Sequence, residues 1–158
     1  SNKKIYLNKK IMKKIKIILL LQLLIFSISI HAQKWETNFS KATELAKNDS
    51  KHIVLVFSGS DWCAPCINLE KEIWKTKEFQ TLAKNDFVML KADFPRRKKN
   101  RLSKFQEDQN EDLASKYNPQ GFFPLVVVLD DKGTVLGTTG YKKSLPRDYY
   151  QDLKKFIK

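Results

Sequence analysis

Two cysteines are all that the 158 residues contain, and they lie close together in the run Trp62-Cys63-Ala64-Pro65-Cys66. A disulfide between them would close so short a loop that it would add little as a structural staple. The spacing therefore favours a reactive pair over a structural one. The pair follows an apolar run and precedes a helical pattern, so a helix is expected to begin around Cys63. The free N–H groups and positive dipole end of a helix favour a negative sulfur at that point. They lower the pKa of the thiol and supply thiolate, which is the nucleophile of thiol–disulfide exchange. Pro65 suits a first helical turn, because its missing N–H would be unpaired there in any case. Cys63 is thus expected to attack a substrate disulfide and Cys66, one turn along, to resolve the mixed disulfide. Trp62 would cover one side of the site or serve as an ordinary core aromatic. Asp61 precedes it as a loop acid that either tunes the site or is simply solvated; with Ala64 and Pro65 it completes the active-site loop. A half zinc site is the competing reading of two close cysteines. Zinc needs about four ligands, and outside this pair the chain offers no thiol and only His31 and His52 as histidines. No metal is expected, and no cofactor beyond a redox-active disulfide between Cys63 and Cys66.

The elements that would position this pair can be read along the chain. Apolar residues at 35, 39, 42, 45 and 46 fit a helix from Trp35 to Asn48. Ile53–Phe57 is a continuous, mostly β-branched apolar run, the pattern of a central strand covered on both faces. Residues 58–61 form a loop, and a helix is expected from about Cys66 to Trp74, followed by a short one over Glu78–Lys84. A second strand is expected over Phe87–Asp93, then a polar, basic stretch over Pro95–Arg101. A helix over Ser103–Tyr117 and a turn at 118–121 lead through Phe122-Phe123-Pro124 into a strand over Leu125–Leu129. Asp130-Asp131-Lys132-Gly133 is a hairpin turn, with the return strand at Thr134–Thr138. A last helix, capped near Ser144, runs through Ile157. Alternation of strands and helices predicts an α/β fold, a central mixed sheet flanked by helices on both faces.

Charge and hydropathy divide the chain unevenly. Residues 1–32 carry seven lysines and no acid, whereas the other 23 basic residues face 17 acidic ones. The total of +13 is therefore weak support for nucleic-acid binding, and no nucleic-acid partner is expected. Lysines up to Lys16, the apolar run Ile17–Phe26 and the ending Ser27-Ile28-Ser29-Ile30-His31-Ala32 follow the order of a secretory signal. The natural start is expected at Met12, and cleavage after Ala32 would leave a domain over 33–158. An uncleaved N-terminal anchor is the main rival, and the only membrane contact expected. In either case the domain lies outside the cytoplasm, where disulfide chemistry operates. That places it in the periplasm or the secreted fraction.

The run Trp62-Cys63-x-Pro65-Cys66 after a hydrophobic strand, with Phe123-Pro124 before another strand about sixty residues later, resembles thioredoxin. Within that superfamily, Ser58-Gly59-Ser60-Asp61 before the motif and Lys91-Ala92-Asp93 at the end of the next strand look closer to two relatives. One is the secreted bacterial thioredoxin-like proteins; the other is the periplasmic C-terminal domain of the transmembrane disulfide reductase. The resemblance covers residues 34–158. It implies that the peptide before Pro124 is cis, that Pro124 lies against the cysteines, and that Phe123 offers its backbone to an extended substrate segment. The residue-level alternative is that Pro124 merely starts a strand. Gly140 resembles the glycine of the loop that completes the substrate groove. The chain departs from thioredoxin in two places. Val56 stands where that family has a buried acid, and Met89 where it has the acid's lysine partner. Proton transfer from Cys66 would then use water or another carboxylate, Glu70 or Asp93. The stretch 94–104 is also longer and more basic than the family core requires; it reads either as a solvated loop or as a docking surface for an acidic partner.

The resemblance implies a monomeric bacterial reductase that passes electrons to oxidised substrate proteins and is recharged by a membrane-bound donor. A disulfide-introducing oxidase is the first alternative. Such proteins commonly carry a histidine between the cysteines and a large helical insertion, and this chain has neither. A thioredoxin-fold binding or chaperone module with incidental redox activity is the second.

Overall fold

The computed structural model describes residues 12–14, which are helical, and residues 34–158. The apolar run 17–26 and the proposed cleavage region 27–33 lie outside the described residues. Among the described residues no helix is long and apolar enough to cross a membrane.

The run Ile53–Phe57 is the middle of β2 (His52–Ser58). It lies at the centre of a five-stranded sheet ordered β1-β3-β2-β4-β5. On one side β2 pairs in parallel with β3 (Phe87–Asp93), and on the other antiparallel with β4 (Leu125–Leu129). Being covered on both faces, β2 needs no polar alternation, which is why its sequence is uniformly apolar. β4 turns back into β5 (Val135–Thr139). Asp130 Oδ1 accepts from the amides of Lys132 and Thr134 at 2.9 and 2.7 Å and fixes that turn. Gly133 sits there at φ +82°, a conformation L side chains rarely adopt.

The first strand was not anticipated. β1 (Trp35–Glu36) pairs in parallel with Met89 and Leu90 of β3, so the helix expected from Trp35 begins only at Phe39. Asn38 stops any earlier start: its backbone is extended and its side chain accepts from the Lys41 amide, the geometry of an N-cap. α1 (Phe39–Asn48) and α4 (Lys104–Tyr117) cover one face of the sheet, over Ile53, Leu55, Phe57, Leu90 and Val127. The opposite face carries α2 (Ala64–Leu69), α3 (Lys77–Ala83) and α5 (Pro146–Lys154), over Val54, Val56, Met89 and Val128. Trp74 anchors this second layer, with ring centroids 4.8 Å from Phe79, 5.2 Å from Tyr149 and 5.9 Å from Trp35. Burying aromatics of this size supplies roughly 1.5–3 kcal/mol each. Two helix boundaries differ from the sequence reading. The helix after the cysteines changes to a π-helical turn over Glu70–Trp74. The last helix starts at Pro146 with Leu145, not Ser144, in the capping position. Proline's fixed φ favours this first position.

Candidate active site

The cysteine pair sits where β2 leaves the sheet. Ser58-Gly59-Ser60-Asp61-Trp62 carries the chain over the end of the strand, and Cys63 caps α2. The two sulfurs are joined as a disulfide, with the Cα atoms 5.2 Å apart. The Cys66 amide donates to Cys63 Sγ at 3.2 Å. A helix amide aimed at this sulfur favours negative charge on it once the bond is reduced. Cys66 is turned inward, with the Gly59 amide 3.5 Å from its sulfur. Both cysteines are almost buried, at 5% and 3% exposure, whereas Ala64 and Pro65 lie exposed above them.

Trp62 is held on two sides, by Phe94 and by Phe123. Its Nε1 donates to the Phe94 carbonyl at 2.7 Å, and its ring lies 5.4 Å from that of Phe123. Phe123 in turn packs on Phe94, also at 5.4 Å. The residue before Cys63 and the residue before Pro124 are thereby brought together. The Phe123–Pro124 peptide is cis, as the resemblance implied. Gly140 completes this edge. A Cβ there would lie 3.3 Å from the Pro124 carbonyl, and the Gly140 carbonyl accepts from Tyr149 at 2.8 Å. Burial pushes the Tyr149 phenol well above its usual range, so it remains a donor. Gly59 faces Trp62 so closely that a Cβ would fall 2.3 Å from the ring, which explains a glycine in this loop.

Asp61, half-buried, is bound to the loop that follows β3. Its carboxylate accepts from the amides of Arg96 and Arg97, at 2.9 and 3.0 Å, and from Asn100 Nδ2 at 2.8 Å. The Arg96 amide and then Asn100 hold this carboxyl below its ordinary value of 3.8. The stretch 94–101 is therefore strapped onto the active-site loop rather than hanging free. Asp93 has a related duty: it accepts from the amide and hydroxyl of Ser60, at 2.9 and 2.5 Å.

Behind the pair lies a different environment. A cavity of about 470 Å³ is lined by Cys66, Ser58, Ser60, Ile67, Glu70 and Lys91, among others. Lys91 Nζ donates to Glu70 Oε2 at 2.8 Å and also lies 4.7 Å from the Trp35 ring centroid. Lys91 is registered opposite Val56 on β3, whereas Met89 is opposite Val54. Lys91, and not Met89, is thus the β3 residue opposite Val56. The cation facing the site of the absent acid is Lys91, which finds its carboxylate on the helix instead of the strand. Lys91 was missed because residue spacing does not reveal strand register; its one signal was a lone cation in an otherwise apolar run.

Comparison with known proteins agrees with this geometry. A thioredoxin-like family model matches residues 34–131. The disulfide bond reductase DsbH of Chlamydia pneumoniae is 34% identical over 125 residues, 79% of this chain and 73% of that one. A solved structure of a DsbH oxidoreductase superposes with a TM-score of 0.74 at 30% identity, over 83% of this chain and 88% of the other. The oxidised C-terminal domain of DsbD from Neisseria meningitidis shares the fold, with a TM-score of 0.50 at 17% identity over 73% and 89% of the two chains. With a Cys63–Cys66 disulfide built just beyond the end of its central strand, the chain is a thiol–disulfide oxidoreductase and belongs to the thioredoxin-like family.

Proposed function

We propose that the protein is an extracytoplasmic bacterial reductase of protein disulfides, acting as a monomer. The observation that carries this reading is the Cys66 amide donating to Cys63 Sγ at the start of α2, beside the Phe123-Pro124 edge. The similarity to a protein named as a disulfide bond reductase supports the direction. Pro65 between the cysteines and the signal-like order of residues 12–32 support the direction and the location respectively.

In this reading the reduced Cys63 thiolate attacks one sulfur of a substrate disulfide. A Cys63–substrate bond forms, and the substrate's other sulfur leaves as thiolate. Phe123 presents its backbone to the substrate segment, while Trp62, Pro124 and Gly140 shape the groove. Cys66 then loses its proton and attacks Cys63 Sγ. The Cys63–Cys66 disulfide forms, the second substrate thiolate leaves, and two electrons have passed to the substrate. A membrane-bound dithiol donor must restore the pair. The exchange needs no metal or organic cofactor.

The proton on Cys66 is assigned to Glu70 rather than Asp93. Glu70 follows Cys66 by four residues, so the two share a helix face, and both line the cavity behind the pair. Asp93 is committed to Ser60 at both oxygens. Lys91 holds the Glu70 carboxylate in place.

The direction is tested by the equilibrium redox potential of the Cys63–Cys66 pair, titrated against glutathione and dithiothreitol. A potential near about −270 mV marks a reductant. One near about −120 mV marks an oxidant and overturns the reductase assignment.

A further inference from the structure

Arg96, Arg97, Lys98, Lys99 and Arg101 crowd a single exposed loop, and a run of this kind is ordinarily a solvated surface. Here the loop is built onto the active site. Asp61, two residues before Cys63, takes three hydrogen bonds from it, all from backbone amides or Asn100, so the five cationic side chains are left out of the brace. Trp62 Nε1 holds the Phe94 carbonyl, and the Arg96 guanidinium lies 3.8 Å from the Trp62 ring centroid. A cavity of about 600 Å³ opens beside this loop, walled by Trp62, Phe94, Arg96, Arg101 and Phe123 and, toward α4, by Asp93, Glu107 and Glu111; Arg97, Lys98 and Lys99 stand outside it. Among the described residues Arg101 is paired with Glu107, while the cationic groups of Arg96, Arg97, Lys98 and Lys99 form no salt bridge. Four like charges in consecutive residues repel one another, and carboxylates of a partner relieve that repulsion. Arg96 stacks on Trp62, the residue next to Cys63, so the charged run starts beside the cysteine pair.

We propose that the braced loop 94–101 is a recognition surface for an acidic segment flanking the disulfide of the substrate protein. The inference rests on the reductase reading and gives it a substrate class. The brace fixes where the charges stand, and the charges select and steer the substrate. Steering of this kind raises association rates by about 10- to 1,000-fold and fades with salt.

The test uses the full chain, reduced beforehand, mixed with three oxidised peptide disulfides of equal length. Glu, Gln or Lys flanks the cysteines, and the second-order rate of reduction is followed. At low salt the Glu peptide is expected to react at least about tenfold faster than the Lys peptide, with the ratio shrinking in high salt. In the triple variant Arg97→Gln, Lys98→Gln, Lys99→Gln the ratio falls toward one. The Asp61 brace uses main-chain amides at 97, and an unchanged thermal midpoint confirms that it persists. Equal rates for the three peptides overturn the proposal while leaving the reductase reading intact. So does a charge-dependent attachment to anionic lipid vesicles without peptide discrimination, which would make the loop a membrane contact. Failure of the parent to reduce even the Gln peptide removes the reductase reading itself.

Discussion

Two carboxylates flank the cysteine pair, and they are used in opposite ways. Asp61, in front, accepts from three donors of the 94–101 loop. Glu70, behind, has one close cation, Lys91, with Lys75 farther off at 3.8 Å, and faces a cavity that Cys66 also lines. A carboxylate tied by several amide donors is a strut that fixes geometry. One held only by lysine side chains at the edge of a cavity stays open on that side to the thiol or to water. In the proposed mechanism the front of the site serves position and the back serves chemistry. Glu70 would there take the part of the acid that Val56 does not supply.

Changes at the sulfurs break the comparison most completely. Cys63→Ser is expected to abolish turnover in a peptide-disulfide reduction assay, whatever the state of either carboxylate. The next effect is at the back. Glu70→Gln is expected to slow resolution of the mixed disulfide about 10- to 100-fold, read by rapid-quench kinetics, with little effect on the first attack. This is less than the full range for general acid–base catalysis, because water can reach the cavity and stand in. A parent-like resolution rate would move the proton relay away from Glu70.

The front responds in stability and aim. Gly59→Ala forces the Trp62 ring aside and is expected to cost about 1–3 kcal/mol, as overpacking does, in denaturant unfolding. Asp61→Asn is smaller still: a modestly lower thermal midpoint at neutral pH, with resolution of the mixed disulfide unaffected. Its pH dependence has a definite sign. The folded carboxyl is held below 3.8, so its contribution is complete above that value and is lost as pH falls through the lower, folded one. The midpoints of parent and variant should therefore converge in acid. Divergence would mean that Asp61 is not the brace.

The back of the site was only half legible in the sequence; at the front the cysteine loop and the cis Phe123–Pro124 edge were anticipated, but the Asp61 brace was not. The strand Ile53–Phe57, the Cys63–Cys66 loop and the hairpin at Asp130–Gly133 declared themselves because their signals are local: an apolar run, a motif and turn residues. β1 is two residues long, too short to show a period, and Trp35 happens to continue the spacing of the helix behind it. Glu70 was one of two candidates for the proton. Only the register of β3, with Lys91 opposite Val56, and the occupation of Asp93 by Ser60 separate them. The Asp61 brace joins residues 35 to 39 positions apart and uses main-chain amides, which carry no residue-type signature. It could not be read from the sequence by any spacing rule.

The central claim is that Cys63 attacks and Cys66 resolves. It is tested most directly by mixing reduced Cys66→Ser protein with an oxidised peptide disulfide and locating the adduct by peptide mass spectrometry. A long-lived mixed disulfide on Cys63 is expected, with one equivalent of peptide thiol released and no further turnover. Turnover at the rate of the parent, or no adduct at Cys63, would contradict it.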